Sequence, residues 1–129
     1  MAEPLVEIRN LRVAFASATG VTPAVRGLSL TLGREKLGIV GESGSGKSVT
    51  GRALMRLLPA TADVRADALR FRDTDILRAP ERQMRRLRGG RIGLILQDPK
   101  YSLNPVITIG RQITEALRQH KRIGRSEER

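Results

Sequence analysis

Leu37-Gly38-Ile39-Val40-Gly41-Glu42-Ser43-Gly44-Ser45-Gly46-Lys47-Ser48 is the stretch that decides the fold. Its first four residues are a short apolar run, the pattern of a strand buried on both faces. The remaining eight fit Gly-x-x-x-x-Gly-Lys-Ser/Thr at every specified position. The glycines let consecutive backbone N–H groups turn inward around an anion without β-carbon clashes. Residues 48–58 are good helix formers, with apolar Val49, Ala53, Leu54, Leu57 and Leu58 before Pro59 stops the pattern. Such a helix aims its N-terminal dipole and unpaired N–H groups at the same point. Lys47 reaches the β and γ phosphates as a point charge, and the Ser48 hydroxyl is suited to ligate Mg²⁺. The expected ligand is a nucleoside triphosphate, ATP with Mg²⁺, held by Gly41, Glu42, Ser43, Gly44, Ser45, Gly46, Lys47 and Ser48. A glycine-rich turn that binds nothing would share the pattern, but a chance match in a chain of this length is on the order of a per cent or less.

On the N-terminal side, residues 5–15 alternate through Val6, Ile8, Val13 and Phe15 and predict a strand broken near Asn10. Residues 16–23 are small and polar and predict a loop or hairpin connection. Residues 24–32 alternate again through Val25, Leu28, Leu30 and Leu32. On the C-terminal side, residues 61–91 are arginine-rich, with a short strand expected at 68–71 and helical turns at 81–88, ended by Gly89-Gly90. Residues 92–96 are a second candidate for a buried strand, closed by Gln97-Asp98-Pro99. Asn104-Pro105 marks a turn, and Thr108 is placed to cap a helix running through His120, with Ile109, Ile113, Ala116 and Leu117 at helical spacing. The predicted organisation is an antiparallel β region at about 1–36 and 61–75, the phosphate loop and its helix at 37–60, and a strand with a following helix at 91–122.

Composition narrows the chemistry. The chain has 129 residues, enough for one ordinary domain, with 40% hydrophobic and 29% charged residues. Aromatic residues make up 2%, so the core must be aliphatic. With no cysteine, disulfides, thiolate metal sites and thiol nucleophiles are excluded, and His120 alone cannot build a multi-histidine metal centre. Met1-Ala2-Glu3-Pro4 lacks the basic start and apolar run of a secretory signal, and no stretch approaches the roughly 20 apolar residues that span a bilayer. The expected location is therefore cytoplasmic. The net charge of +11 is mostly arginine, scattered rather than arrayed. Attraction to nucleic acid through Arg82, Arg85, Arg86, Arg88 and Arg91 is one reading, but no aromatic stacking platform accompanies them. A solvated basic surface is the simpler reading, and no nucleic-acid partner is expected.

Residues 37–48 closely resemble the ATP-binding subunits of ABC transporters. A second block, Ile92-Gly93-Leu94-Ile95-Leu96-Gln97-Asp98-Pro99-Lys100-Tyr101-Ser102-Leu103-Asn104-Pro105, resembles the glutamine-loop region of the same family. Gln-Asp-Pro followed by Ser-Leu-Asn-Pro resembles its oligopeptide, dipeptide and nickel importer branch. The resemblance runs from about residue 5 to residue 120. It implies an α/β fold: a P-loop NTPase core with a parallel sheet and flanking helices, plus an N-terminal antiparallel β region, incomplete at the C-terminus. It also implies that Gln97 touches Mg²⁺ or the attacking water and couples the nucleotide site to the membrane subunits. A polar residue merely ending a strand is the alternative reading of Gln97. Phe15 falls near the aromatic position that stacks on adenine, although a Phe closing an alternating strand also suits a core. The implied partners are transmembrane permease subunits and a second ATP-binding subunit. The implied place is the cytoplasmic face of the plasma membrane, reached peripherally through those partners.

Some positions depart from the family. Leu96 stands where Phe is usual, and Arg34 replaces a turn glycine, with Gly33 adjacent to supply the bend. Asp73 occupies a common hairpin-glycine position, which aspartate tolerates moderately well. No Leu-Ser-Gly-Gly-Gln motif, no apolar run ending in Asp-Glu and no switch histidine occur in these residues. The resemblance implies ATP hydrolysis for a complete member, with weak or absent turnover expected of this chain alone, and an apolar face that lowers its stability. A self-contained small kinase, with Asp98 ending a magnesium-binding strand, is the alternative. Against it, Gln97 intervenes and Pro99 follows. A GTPase is disfavoured because no Asn-Lys-x-Asp segment is present.

Overall fold

The computed structural model describes residues 3–121. The chain divides into two compact units, Met1–Met84 and Arg85–Arg129.

The first unit is built on an antiparallel sheet. Its strands are β1 (Val6–Ser17), β2 (Gly20–Leu32), β3 (Ala62–Arg65), β4 (Ala68–Phe71) and β5 (Thr74–Asp75). Their order is β2-β1-β4-β5, with β3 also pairing β1. The break expected at Asn10 is a bulge: Asn10 takes φ 51°, and the pairing with β2 slips between Ile8 and Leu11. The Asn10 N–H is satisfied by Ser29 Oγ at 2.9 Å. This bulge has a packing consequence. Side chains alternate faces along a strand, so Val6 and Ile8 would face away from Leu11 and Val13 without an extra residue between the pairs. With the bulge all four are buried, Leu11 at 0% exposure. They join Val25, Ala68, Leu69, Phe71, Ile76, Ala79 and Met84 in a core that is aliphatic apart from Phe71, whose larger members each contribute about 1.5–3 kcal/mol.

The first hairpin is tighter than its sequence suggests. Of the loop or hairpin connection expected at residues 16–23, the hairpin forms: Ser17 pairs Gly20, leaving Ala18 and Thr19 as the turn, and Pro23 pairs Ala14 within β2. Proline is tolerated there because β2 is an edge strand, where a missing N–H interrupts no second ladder. In the β4–β5 hairpin the left-handed residue is Arg72, φ 51°, rather than its neighbour Asp73.

Helix α1 (Lys47–Leu54) packs against β2 and β4. It stops short of the expected residue 58. Arg56 adopts φ 52°, its N–H bonds Ala53 O at 3.1 Å, and Leu57 N–H bonds Arg52 O at 2.9 Å. That pair of bonds is a Schellman ending with arginine in the place usually taken by glycine. The Arg56 guanidinium accounts for the exception: it bonds Ile76 O at 3.1 Å, Ala79 O and Glu81 Oε2 at 3.3 Å. Tertiary anchoring thus ends the helix before Pro59 can.

The expected parallel core is not present as strands. Residues 37–40 and 92–96 carry no strand among the described residues, and Arg88↔Ile92 is only an isolated bridge. Val40 is 98% exposed and Ile95 91%. A parallel strand exists through neighbours on both edges and cover on both faces, and these segments have neither. The architecture shown is therefore mixed α/β around an antiparallel sheet.

Helix α2 (Glu81–Leu87) begins in the first unit and ends in the second. In the second unit Gly89, at φ 76°, turns the chain, its N–H donating to Ile92 O at 2.7 Å. A 3₁₀ turn at Pro99–Ser102 follows, then α3 (Ile109–His120). Thr108 caps α3 as expected, its hydroxyl accepting from Arg111 N–H at 3.3 Å. Gln112 fastens the Asn104-Pro105 turn to α3, its amide nitrogen donating to Asn104 O and Ile107 O at 3.0 and 2.9 Å.

Candidate nucleotide-phosphate site

The site is assembled from a loop whose shape only glycine permits. Gly44 and Gly46 take φ 82° and 96°, left-handed values that disfavour residues with a β-carbon. Gly46 is doubly constrained: a β-carbon there would lie 2.8 Å from Ala24 O and 3.2 Å from Val25 Cγ2 of β2. A β-carbon on Gly41 would lie 2.5 Å from Ser45 Oγ. The loop is therefore wrapped around itself and pressed onto β2. The Ser45 N–H bonds Glu42 O at 3.1 Å, closing the turn.

Helix α1 starts where the loop ends. Gly46 is its N-cap and offers no side-chain acceptor, and the first turn holds no acidic residue. The first intrahelical bond is Thr50 N–H to Gly46 O at 2.9 Å. The amides of Lys47, Ser48 and Val49 are thus the helix's orphan donors, at the end where the dipole carries about +0.5 charge. Thr50, 5% exposed, adds a second tie through its hydroxyl to Gly46 O at 2.8 Å. Nothing in the sequence pattern singled out Thr50; its role depends on where the Gly46 carbonyl points.

Lys47 is held at the mouth of the loop. Its ammonium donates to Gly41 O at 2.5 Å, Glu42 O at 2.7 Å and Ser45 Oγ at 3.2 Å. All three partners are neutral dipoles, and among the described residues no carboxylate pairs with it. The positive charge is oriented without being neutralised. A cleft of about 540 Å³ opens beside it, lined by residues 23–28 of β2, Ile39, Val40, residues 44–47 and Thr50. That is within the range of about 300–1,000 Å³ usual for small-molecule sites.

The structure brings together Gly41, Glu42, Ser43, Gly44, Ser45, Gly46, Lys47 and Ser48, with Ser48 exposed in the first turn of α1. Phe15 is not with them. It lies half-buried in β1, opposite Thr22 and Ala62, and does not line the cleft. Gln97 belongs to the second unit, exposed in a bend; no strand precedes it, contrary to expectation. Asp98, φ 53°, starts the 3₁₀ turn instead of ending a strand. The contribution of β2 to the cleft wall was not legible in the sequence, because it arises from the close approach at Gly46.

A left-handed glycine loop, closed by a lysine and opening a helix against a sheet, has the form of a P-loop. The chain belongs to the ABC transporter family, whose model matches residues 25–128. It is 46% identical over 128 residues to a probable peptide ABC transporter ATP-binding protein, y4tR, of Sinorhizobium fredii, covering 98% of this chain and 38% of that protein. It is 42% identical over 125 residues to the dipeptide transport ATP-binding protein DppD of Bacillus subtilis, covering 95% and 37%. With the oligopeptide transport ATP-binding protein OppD of Salmonella typhimurium it shares 46% identity over 127 residues, covering 98% and 38%. The chain thus spans less than two-fifths of the length of these relatives.

Proposed function

We propose that this chain binds ATP with Mg²⁺ at residues 41–48 and serves as the nucleotide-binding part of an ATP-driven peptide importer. The observation that carries the first half is the Lys47 ammonium, held by loop oxygens beside three uncapped helix amides. Phosphate oxygens accept from those amides and draw Lys47 away from the neutral carbonyls, exchanging dipole contacts for charge-assisted ones. Among the described residues no cluster of acidic or histidine side chains could hold a metal. The Ser48 hydroxyl, exposed at the loop's end, fits Mg²⁺, which takes few protein ligands and keeps its waters and substrate phosphates. When bound, Mg²⁺ neutralises charge that develops on the phosphates.

Peptide import as the driven process is supported by the names of the relatives, all of them peptide or dipeptide transport proteins. In this reading Gln97 would serve the metal or the attacking water in the complete site and relay to transmembrane permease subunits, while Phe15, outside the cleft lining, is not assigned to the nucleotide. A second ATP-binding subunit completes the site, at the cytoplasmic face of the membrane. Among the described residues no helix is long and apolar enough to cross a membrane, so attachment through partners suits what is seen. The sequence contains no Leu-Ser-Gly-Gly-Gln and no apolar run ending in Asp-Glu, so binding with little turnover is expected from this chain.

Calorimetric titration with Mg-ATP tests the reading. Lys47→Ala is expected to weaken binding at least about tenfold, since charged hydrogen bonds contribute about 1.5–3 kcal/mol. Equal affinity for the two proteins would reject residues 41–48 as the site.

A further inference from the structure

Residues directly opposite one another in an antiparallel pair share a face of the sheet. Arg12 of β1 lies opposite Arg26 of β2 on one side and Arg65 of β3 on the other, so three arginines form one row across three strands. Val13 and Val25 of the adjoining row are buried in the core, which puts the arginines on the outer face, where all three are exposed.

An irregularity of the sheet creates this row. Between the pairs Leu11↔Leu28 and Arg12↔Arg26, β1 advances by one residue and β2 by two, so Gly27 is an inserted residue, at φ 108°. Without the insertion, alternation would turn Arg26 toward the core face. The same glycine leaves space above β2: a β-carbon there would lie 3.0 Å from Asn10 Oδ1 and 3.9 Å from Arg12 Nη2. Asn10 Oδ1 accepts from Arg12 Nε at 3.3 Å, which steers that guanidinium over β2. Like charges directly opposite one another weaken a sheet, so the fold bears a cost to hold this row together.

Beside the row lies a hollow. Ala14 and Pro23, the next pair on that face, are small, and with the three arginines and Asp63 they line a space of about 370 Å³. Asp63 is committed to Arg65, whose Nε donates to its two carboxylate oxygens at 3.1 and 3.3 Å. Arg12 and Arg26 have no carboxylate partner among the described residues. Three guanidinium charges against one carboxylate leave a surplus of two. Opposed residues stand about 4.5–5.5 Å apart at Cα, so both free forks can reach one tetrahedral anion.

We propose that this hollow is a site for a dianionic phosphate group, held by Arg12 and Arg26 and separate from the loop at residues 41–48, none of which lines it. Inorganic phosphate and a phosphate monoester both supply that chemistry, whereas a phosphodiester carries one charge and leaves a guanidinium unmatched.

The experiment titrates the full chain with inorganic phosphate or, in a second arm, with glycerol 3-phosphate. Ionic strength is fixed and the pH is about 8, where both are dianions. The backbone amide resonances of Val13 and Arg65 are followed. Saturable shifts with inorganic phosphate identify free phosphate as a ligand, and shifts with the ester alone identify a phosphorylated small molecule. In the responding arm Arg12→Gln is expected to weaken binding at least about tenfold. Arg12 is the residue to change because Arg26 also borders the cleft beside Lys47. Arg70→Gln, on β4 and outside the hollow, is expected to change it less than about twofold. Urea unfolding without phosphate should show Arg12→Gln at least as stable as wild type, because it relieves like-charge contacts. No saturable shift in either arm overturns the proposal, as does an equal loss of binding in Arg70→Gln. A clear loss of stability in Arg12→Gln also overturns it, since the row would then be structural.

Discussion

Leu37-Gly38-Ile39-Val40 and Ala68-Leu69-Arg70-Phe71 are both short, mostly apolar segments of the first unit, and they meet opposite fates. The second is β4, paired to β1 on one edge and β5 on the other, with Leu69 at 1% exposure. The first forms no strand, and Val40 is 98% exposed. Apolar composition is common to both, so it does not decide the outcome. What decides it is a ladder partner, which satisfies the backbone N–H and C=O groups that burial would otherwise leave unpaired. The difference also separates two tasks. The paired sheet supplies rigidity, and the unpaired segment leads straight into the loop proposed to offer its amides to a phosphate.

The comparison breaks most readily at its buried member. Leu69→Ala should cost about 2–5 kcal/mol of stability through lost burial and the cavity left behind. Val40→Ala should stay within about 0.5 kcal/mol, as exposed substitutions do. Urea unfolding of the two variants measures the contrast; similar losses would mean residue 40 is buried in solution. A smaller effect is expected at the junction of loop and sheet. Gly46→Ala places a β-carbon against Ala24 O in a left-handed conformation and should cost about 1–3 kcal/mol, together with Mg-ATP binding. Retained affinity in that variant would show that the loop can shift off β2.

How much of this was legible in the sequence follows the same division. The break at Asn10, strand β4, helix α2 and the Thr108 cap were readable because each depends on local chemistry: an interrupted alternation, a short apolar run, a glycine stop, a hydroxyl at the right offset. The loop at 41–48 was readable because left-handed backbone demands glycine. What was not readable depended on distant partners. Residues 16–23 left loop and hairpin both open, and the edge position of β2 let pairing continue past Pro23 to a two-residue turn. Pro59 suggested a helix to residue 58, but Arg56 found carbonyls at Ile76 and Ala79 and ended it earlier. Residues 37–40 and 92–96 had the composition of buried strands without the neighbours. Thr50 and the β2 wall of the cleft depend on an approach between segments that no spacing encodes.

The smallest expected effect lies just before the exposed segment. The Gly33 N–H donates to the Glu35 carboxylate at 2.9 Å, and that bond, with a second from the Glu35 amide, holds the carboxyl below its ordinary range. A depressed folded value stabilises at neutral pH, and the contribution is lost as pH falls below about 4 through the folded value. Glu35→Gln should therefore leave stability slightly lower at neutral pH and indistinguishable from wild type in strong acid. Thermal melts across that pH range check the sign.

The amide resonances of the first unit test the central claim most directly, recorded by ¹⁵N correlation spectroscopy while Mg-ATP is added. The account predicts large shifts at Gly44, Gly46, Lys47 and Ser48, with the β4 amides of Leu69 and Phe71 nearly still. Loop amides that stay in place at saturating nucleotide, or shifts no larger there than in β4, would contradict it.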